Sequence, residues 1–259
     1  MTETLSGNEL LAALERGEVR VAERDTAGDW SVRPWVKEAI LELFRSSETA
    51  VLGELAPLGA FLDKPVLPVR SFDVEEGVRV VPGGTSVRRG AFVGRGTVLM
   101  PPCYVNVGAY VGAGSMVDSH ALIGSCAQVG ERVHVSAGAQ IGGVLEPVGS
   151  RPVIVEDDVL VGGQAGLYEG VLVRAGAVIG AGTILTGSTR VFDLTRDREL
   201  TGTANAPLEI PAGAVVVPGG RPARGEWARE RGLTVDCALI VKRRDDRTDA
   251  STALEEALR

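Results

Sequence analysis

Three side chains near the middle of this chain could accept a proton from a bound molecule: Asp118, His120 and Glu169. Asp118 and His120 share the segment MVDSHA, and Glu169 lies in LYEGV. A carboxylate or an imidazole can act as a general base, because either group takes up a proton when it is held beside a reacting atom. Residue type alone does not assign that role, since most carboxylates of a folded protein lie in water. Their chemistry therefore depends on the elements that position them.

Aliphatic residues recur at a spacing of six throughout the region around these groups. The series comprises Val81, Val87, Val93, Leu99, Val105, Val111, Val117, Ile123, Val129, Val135 and Ile141, then, after one interruption, Val155, Val161, Leu167, Val173, Ile179, Leu185 and Val191. Such a period fits neither an α-helix nor a single strand, and it is typical of a hexapeptide parallel β-helix. Three hexads form one triangular coil, and the aliphatic side chains of successive coils stack inside the prism. The repeat therefore predicts the fold.

The same register relates the two carboxylates. Asp118 falls in the seventh hexad and Glu169 in the fourteenth, if the interruption preserves the phase of the repeat. That separation corresponds to about two coils, or roughly 10 Å along the axis, and to different faces of the prism. We therefore expect the two groups to meet, if at all, across a boundary between subunits.

The chain divides into three predicted parts. An N-terminal helical region and connector occupies residues 1–78, the β-helix residues 79–220 and a C-terminal extension residues 221–259. Two stretches leave the regular coils, at 145–154 and 192–208. Binding and catalytic residues concentrate in loops of this kind, so both are candidate parts of a site.

Local signals predict the elements outside the coils. One helix is expected to begin at Pro34 and another to cover residues 9–16, whereas residues 47–78 show no sustained period and are predicted as a connector. Ile210 and Val216 are expected to resume the six-residue step and to cap the prism. The extension is predicted as a strand, a basic segment and a short helix with Thr252 and Glu255 in a capping box.

Composition argues against several classes of protein. A net charge of −7 argues against nucleic-acid binding. No apolar run approaches the roughly 20 residues of a membrane span, and the polar start MTETLSGNEL does not read as a signal peptide, so we expect a cytoplasmic protein. The three cysteines lack CxxC spacing and provide neither a disulfide framework nor a zinc motif. No metal site is predicted.

Several segments, in this order, resemble the tetrahydrodipicolinate N-succinyltransferases of the bacterial lysine and diaminopimelate pathway. They are VRVAERDTAGDW, GVRVVPGG, the run from VRRGAF to GSCAQVG, IGGVLEP, LYEGVLV and CALIVKRRDDRT. The resemblance spans Glu18 to Arg259, and GSCAQVG and IGGVLEP make it specific. It implies a left-handed β-helix, a homotrimer with active sites between subunits, and no tightly bound cofactor. It also implies transfer of an acyl group from an acyl-CoA cosubstrate to the amine of an amino dicarboxylate.

The resemblance also implies roles for individual residues. Asp118 and Glu169 match the two functional carboxylates of the family. An amine that attacks a thioester must lose a proton, whereas the thiolate leaves with little acid assistance. Asp118 is therefore expected to accept that proton, and Glu169 of a neighbouring subunit to position or activate a water or hydroxyl on the ring. Arg79 matches a position that binds a substrate carboxylate, for which the guanidinium fork is well suited.

A basic group near the C-terminal end of the prism is expected to meet the phosphates of coenzyme A, because local positive charge attracts an anion even to an acidic protein. Its members are Arg221, Arg224, Lys242, Arg243, Arg244 and Arg247. The pantetheine arm requires a groove beside flat backbone, and small residues would allow its close approach. The candidates for that groove are Ala181, Gly182, Ala212 and Gly213.

Three positions depart from the family pattern. Gln164 and Ala165 stand where an arginine and a serine are expected, and His120 replaces an aromatic residue. Loss of a charge-assisted pair at Gln164 should weaken binding of an acid by about 1.5–3 kcal/mol. The donor could therefore be succinyl-CoA or acetyl-CoA, and the acceptor a related amino acid of a specialised pathway. His120 is a substrate-binding candidate and, alternatively, the catalytic base.

Other functions of a hexapeptide prism are less compatible with the sequence. A hexapeptide carbonic anhydrase needs three imidazoles for each zinc, and the chain has two histidines in total. His134 is expected to be an exposed corner residue, and Cys126 a small buried one without a base beside it. A noncatalytic scaffold would repeat one polar residue along a flat face and would not need the two excursions.

Overall fold

The computed structural model describes residues 5–55, 59–203 and 206–244. Two helices and two antiparallel hairpins precede the coils. Pro34 occupies the first turn of the second helix, as the sequence predicts. In chain order these elements are α1 (Gly7–Glu15), β1 (Ala22–Arg24), β2 (Trp30–Val32), α2 (Pro34–Ser46), β3 (Ala50–Leu55) and β4 (Gly59–Asp63), followed by a single 3₁₀ turn (Val74–Glu76).

The coils consist of two-residue strands, one to each side of a left-handed parallel β-helix. They are β5 (Arg79–Val80), β6 (Ser86–Val87), β7 (Phe92–Val93), β8 (Val98–Leu99), β9 (Tyr104–Val105), β10 (Tyr110–Val111), β11 (Met116–Val117), β12 (Leu122–Ile123), β13 (Gln128–Val129), β14 (His134–Val135), β15 (Gln140–Ile141), β16 (Ile154–Val155), β17 (Leu160–Val161), β18 (Gly166–Leu167), β19 (Leu172–Val173), β20 (Val178–Ile179) and β21 (Ile184–Leu185). Each strand from β6 onward ends on the aliphatic residue of its hexad. Val81, predicted as the first of the series, is one residue out of register, because Val80 of β5 pairs with Leu99.

Three parallel sheets form the sides of the prism. Sheet 1 contains β5, β8, β11, β14, β17 and β20, sheet 2 contains β6, β9, β12, β15, β18 and β21, and sheet 3 contains β7, β10, β13, β16 and β19. The second residue of each strand points inward; Val117, Val135 and Val161, for example, are fully buried and stack on one another in sheet 1. Each such side chain contributes roughly 1.5–3 kcal/mol by leaving water.

The C-terminal end of the prism is built differently from the coils. The remaining elements are β22 (Val191–Asp193), β23 (Arg198–Leu200), β24 (Glu209–Ile210), β25 (Ala214–Pro222), α3 (Glu226–Glu230) and β26 (Thr234–Arg243). Ile210 stacks on Val173 and Val216 on Ile179, which confirms the predicted return to the six-residue step. The long strands β25 and β26 then pair antiparallel and extend sheet 1 beyond β20.

The prediction that Val191 belongs to a further hexad of the coils is wrong. Its six-residue spacing from Leu185 predicted another hexad, but Val191 begins β22, which pairs with β26 and forms a hairpin with β23. The place above Val173 is taken by Ile210 instead. Val191 is nevertheless fully buried, so its aliphatic character serves the cap of the prism.

Three corners connect the sheets. The first corner, between sheets 1 and 2, comprises residues 118–120, 136–138, 162–164 and 180–182 in successive coils. The second corner, between sheets 2 and 3, comprises 124–126, 142–144, 168–170 and 186–188. The third corner, between sheets 3 and 1, comprises 130–132, 156–158, 174–176 and 211–213. Both excursions leave the prism at the second corner.

The N-terminal helices pack against the prism. Leu11 of α1 and Ile40 of α2 are fully buried in one apolar cluster with Val107 and Cys126 of the coils. On the hairpin side, Trp30 packs beside Ile154 and Leu172 on the outer face of sheet 3. Sheet 3 is therefore covered within the chain itself.

Two predictions about the flanking regions need correction. Residues 47–78 are not only a connector, because they contain the β3–β4 hairpin and the 3₁₀ turn. The basic residues Lys242 and Arg243 do not follow the last strand but belong to it. The predicted capping-box helix and Arg247 lie outside the described residues. In the described part of the chain, no helix is long and apolar enough to cross a membrane.

Candidate functional site

The first corner gathers five of the residues selected from the sequence: Asp118, His120, Gln164, Ala181 and Gly182. Asp118 and His120 occupy one coil, Gln164 lies two coils further on, and Gly182 one coil beyond that. The backbone N–H of Gln164 donates to Ala137 and that of Gly182 to Gly163, so the corner is a regular column. His120 and Gln164 are exposed along its edge. The structure thus places these candidate residues along one line parallel to the prism axis.

Asp118 is held by its own corner. Its Oδ1 accepts a hydrogen bond from the backbone N–H of Ser119 at 2.6 Å, and its side chain is 29% exposed. Its backbone N–H donates to Val135 in the next coil. One carboxylate oxygen is therefore fixed by the backbone, while the other, Oδ2, stays available for a ligand.

Glu169 lies at the second corner, where both excursions converge. Its Oε2 accepts a hydrogen bond from the backbone N–H of Gly187 at 3.2 Å, one coil further on. The next residue, Gly170, is covered by Arg151 of the first excursion and Pro207 of the second. Glu169 is exposed and stands at the edge of this junction.

Asp118 and Glu169 do not meet within one protomer. Glu169 follows β18, which lies two strands beyond β12 in sheet 2, and β12 is the strand that follows Asp118. The two carboxylates are thus separated by two coils, about 10 Å along the axis, and by one side of the prism. This is the placement that the hexad register predicts.

A positive φ angle at three of the candidate residues is a property of the corners. His120, Gln164 and Glu169 have φ of 62°, 59° and 54°, in the left-handed region that favours glycine. Gly138 and Gly182 occupy the same place in neighbouring coils of the first corner, with φ of 70° and 71°. Backbone geometry alone therefore does not mark these three residues as functional.

Arg79 lies at the N-terminal end of sheet 1. It is the first residue of β5, is exposed, and occupies the outward-facing position two coils before Met116. Sheet 1 leads into the first corner, where Asp118 lies two residues after Met116. Arg79 is therefore on the side of the prism next to that corner, but roughly 10 Å along the axis from the coil of Asp118. Within one protomer the structure does not bring Arg79 into the first corner.

A groove of about 450 Å³ lies at the C-terminal end of the first corner. Gly182 and Arg221, both selected from the sequence for coenzyme A, line it together with Thr189, Arg190 and other residues of the cap. Its lining combines glycine backbone at Gly182 and Gly219, the guanidinium groups of Arg190 and Arg221, hydroxyl groups and the carboxylate of Asp236. Ala181 is exposed next to it. Such a surface suits a thin chain that ends in anionic groups.

Of the five basic candidates that the structure describes, the other four lie elsewhere, so these five do not form one cluster. Arg243 lies at the opposite end of the β25–β26 ladder from Arg221, opposite Ala214. Its Nη1 donates to the Ala212 carbonyl and its Nη2 to Asp193, whose side chain is fully buried. Arg244, Ala212 and Gly213 belong to this third-corner region. Lys242 is exposed on β26 and Arg224 on the loop before α3.

The three cysteines are buried. Burial raises the pKa of the Cys126 thiol to about 12, and its Sγ lies beside the Cδ1 of Ile40 over Gly108. Burial likewise raises the pKa of Cys103 and of Cys237. Thiols with raised pKa values are poor nucleophiles near neutral pH.

His134 was misplaced by the sequence analysis. It was expected at an exposed corner, but it is the outward-facing residue of β14 and only 8% exposed. It stands in register with Met116 and Leu160, and its Nε2 is 3.8 Å from Oδ2 of Asp118. The signal was present in the hexad register, because His134 directly precedes the inward-facing Val135 and must therefore lie on a strand.

Two family models match this chain. The model for the N-terminal region of tetrahydrodipicolinate N-succinyltransferase matches residues 7–45, which contain both N-terminal helices. The model for the hexapeptide repeat of succinyl-transferase matches residues 152–187. That second match includes Gln164, Glu169 and Gly182.

Three curated proteins, each named 2,3,4,5-tetrahydropyridine-2,6-dicarboxylate N-succinyltransferase, are similar over nearly their whole length. The protein of Nitrobacter winogradskyi is 43% identical over 256 residues, which are 97% of this chain and 88% of the relative. The protein of Rhodopseudomonas palustris strain TIE-1 is 46% identical over 254 residues, 96% of this chain and 87% of the relative. The protein of Bordetella avium is 46% identical over 251 residues, 95% and 86% respectively.

Proposed function

This chain belongs to the 2,3,4,5-tetrahydropyridine-2,6-dicarboxylate N-succinyltransferase family, and we propose that it transfers a succinyl group from succinyl-CoA to the amine of the tetrahydropyridine dicarboxylate or its ring-opened form. The observation that carries this proposal is the identity of 43% to 46% over at least 95% of the chain. The arrangement of acidic and polar groups along the first and second corners supports it. As an acyl-CoA-dependent enzyme it would act in the cytoplasm.

The reaction requires one base and one positioned thioester. The amine nitrogen attacks the thioester carbonyl carbon, the C–S bond breaks, and the thiolate leaves with the bonding electrons. Asp118 accepts the proton that the nitrogen loses, for which its Oδ2 is available while Oδ1 is bound by Ser119. The nitrogen carries that proton only after water, positioned or activated by Glu169, has added across the C=N bond of the ring, which places a hydroxyl on the carbon and a proton on the nitrogen. After acylation the hydroxyl proton passes to the nitrogen as the carbon–nitrogen bond breaks, and the ring opens to a ketone and an amide. The released proton finally resides on the thiol of coenzyme A.

The active site would lie between protomers. Asp118 and Glu169 stand at different corners of one prism, and sheet 3 is already covered by the N-terminal elements. An association that joins the first corner of one protomer to the second corner of the next is heterologous and closes as a ring. Three prisms would complete a homotrimer with three equivalent sites, and neither residue would be sufficient in its own subunit. Arg79 would bind a substrate carboxylate in that assembly.

The groove at Gly182 would hold the pantetheine arm and part of coenzyme A. It continues the column of Asp118, His120 and Gln164 toward the cap, so a thioester at Asp118 and an arm at Gly182 would follow one corner. Arg221 is the basic residue of the predicted group that lines this groove. Lys242 and Arg243 would contribute only if the nucleotide end of coenzyme A reached the third corner.

A second candidate function is transfer of an acetyl group, or transfer to a related amino acid. It is favoured by one observation: Gln164 and His120, which depart from the family pattern, are both exposed on the first corner beside the proposed base. An amide cannot replace the charge of a guanidinium toward a carboxylate. Either the succinyl group or a carboxylate of the acceptor would then be held less tightly.

A donor and acceptor screen tests the proposal. Purified protein is mixed with succinyl-CoA or acetyl-CoA and with the tetrahydropyridine dicarboxylate or amino dicarboxylate analogues, and free thiol is followed. We expect release of coenzyme A to depend on the acceptor and to be fastest with succinyl-CoA. Faster release with acetyl-CoA would select the second function, and release with no acceptor in the panel would contradict the first.

Variants separate the two possible bases. Asp118→Asn and Glu169→Gln should each lower turnover by a factor of about 10² or more, whereas His120→Ala should mainly raise KM. Full turnover in both carboxylate variants together with loss of turnover in His120→Ala would identify His120 as the base.

A further inference from the structure

The side chain of His134 faces the carboxylate that we propose as the base. His134 Nε2 lies 3.8 Å from Asp118 Oδ2, whereas Asp118 Oδ1 is already bound by the backbone N–H of Ser119. The oxygen that faces the imidazole is therefore the same oxygen that remains available for the substrate amine. This contact lies within one protomer and does not depend on how protomers associate.

His134 lies in the outward-facing column of sheet 1, among apolar neighbours of the same column. Its neighbours in the outward-facing column of sheet 1 are Met116 on β11 and Leu160 on β17, and its imidazole is 10% exposed. Val98 and Val178 continue that column on either side. The carboxylate of Asp118 is a polar group within reach.

We propose that His134 is a positioning residue for Asp118: its Nε2–H group orients Oδ2 toward the acceptor amine. This inference rests on the proposed function and deepens it. The distance of 3.8 Å is that of a loose pair, and such contacts shorten when the substrate is bound. His134 forms and breaks no bond to the substrate; the amine proton passes to Asp118, and the thiolate leaves with the C–S electrons.

Two substitutions distinguish positioning from packing. His134→Gln keeps an N–H donor of similar reach, whereas His134→Phe keeps an aromatic ring of similar size but has no donor. If His134 positions Asp118, His134→Phe should lower kcat by about tenfold or more with little change in KM, and His134→Gln should retain most of kcat. If His134 only packs between Met116 and Leu160, the order should reverse, with the phenylalanine variant the more active and the more thermostable.

The matched control is Val178→Ala, which alters the same column two coils from His134. It should change thermal stability but leave kcat unaltered. Equal kcat values for His134→Phe and the unsubstituted protein would overturn the inference, provided that Asp118→Asn is impaired in the same assay. If the unsubstituted protein released no coenzyme A with any acceptor, the proposed function itself would fail, and this inference with it.

Discussion

Arg151 and Gly170 join the first excursion to the corner that carries Glu169. The Nε of Arg151 donates to the Gly170 carbonyl at 2.8 Å, and its Nη2 donates to the Pro207 carbonyl of the second excursion at 2.7 Å. A further bond from Nη1 reaches Glu209 at 2.7 Å. One guanidinium thus holds both excursions and the residue that follows Glu169.

Arg151→Met should therefore lower turnover, because the side chain of Arg151 is only 15% exposed and is held among these acceptors. The change leaves the carbonyl oxygens of Gly170 and Pro207 without this donor, which costs about 1–3 kcal/mol of unfolding free energy. A displaced Glu169 should lower kcat by about tenfold. Denaturant unfolding and the thiol-release assay measure the two effects.

Arg16→Met is the matched control for that experiment. Arg16 also donates to a carboxylate, that of Glu18, but both side chains are 57% exposed. Exposed ion pairs contribute little to stability. If Arg16→Met and Arg151→Met had equal effects on kcat, Arg151 would have no special relation to Glu169.

Lys37 makes the stability of the protein depend on pH. Lys37 on α2 is fully buried, its Nζ donates to the Ser150 carbonyl at 2.7 Å, and burial lowers the pKa of its ammonium below the usual 10.5. Between the lowered pKa and 10.5 the unfolded chain binds more protons than the folded one, so stability contributed by this residue rises with pH.

Lys37→Met should remove that pH dependence. The difference in unfolding free energy between the unsubstituted protein and Lys37→Met should be constant at low pH. It should then shift in favour of the unsubstituted protein as pH rises toward 10.5. Chemical denaturation at a series of pH values measures it, and parallel curves for the two proteins would contradict the assignment.

Truncation of two isoleucines of sheet 2 should change the free energy of unfolding by very different amounts, because only one of them points into the prism. Ile141 is fully buried, whereas Ile184, two coils further along the same sheet, points outward and is 51% exposed. Ile141→Ala should cost about 2–5 kcal/mol of unfolding free energy, since it leaves a cavity between stacked residues. Ile184→Ala should cost under about 0.5 kcal/mol. Similar losses for both would contradict the register.

Gln164→Arg should restore affinity for an acid. The corner accepts an arginine with positive φ, because Arg132 adopts φ of 52° at the third corner. If Gln164 faces a substrate carboxylate, the new guanidinium should lower KM for the dicarboxylate acceptor by about tenfold. An analogue without that carboxylate serves as the control and should bind unchanged. An unaltered KM for both acceptors would place Gln164 away from the carboxylate.

The hexad register predicts the fold and the separation of Asp118 and Glu169, because the aliphatic residue of each hexad must point into the prism and so fixes the orientation of its neighbours. Spacing does not say which strand a residue pairs with. The register therefore could not predict that Val191 lies on β22, which pairs with β26 from the C-terminal part of the chain. It should have placed His134 on a strand. His134 directly precedes the inward-facing Val135, so its place in the hexad is that of an outward-facing strand residue.

Interactions between distant segments are what the sequence could not provide. Arg221 and Arg243 are close along the chain, but an antiparallel ladder holds them at opposite ends. Lys37 reads as a solvated residue of an amphipathic helix, yet it is buried because the first excursion folds over it. Arg151 lies within the predicted excursion, but its contacts to Gly170 and Pro207 join elements that are adjacent only in the folded coils.

The most direct test of a site shared between protomers is complementation of Asp118→Asn by Glu169→Gln. The two inactive variants are unfolded together, refolded as a mixture and assayed for thiol release, with each variant refolded alone as the control. In a closed ring, about one quarter of the interfaces would join an intact first corner to an intact second corner, so the mixture should recover about a quarter of the normal activity. A mixture no more active than either variant alone would show that Asp118 and Glu169 do not act together across protomers.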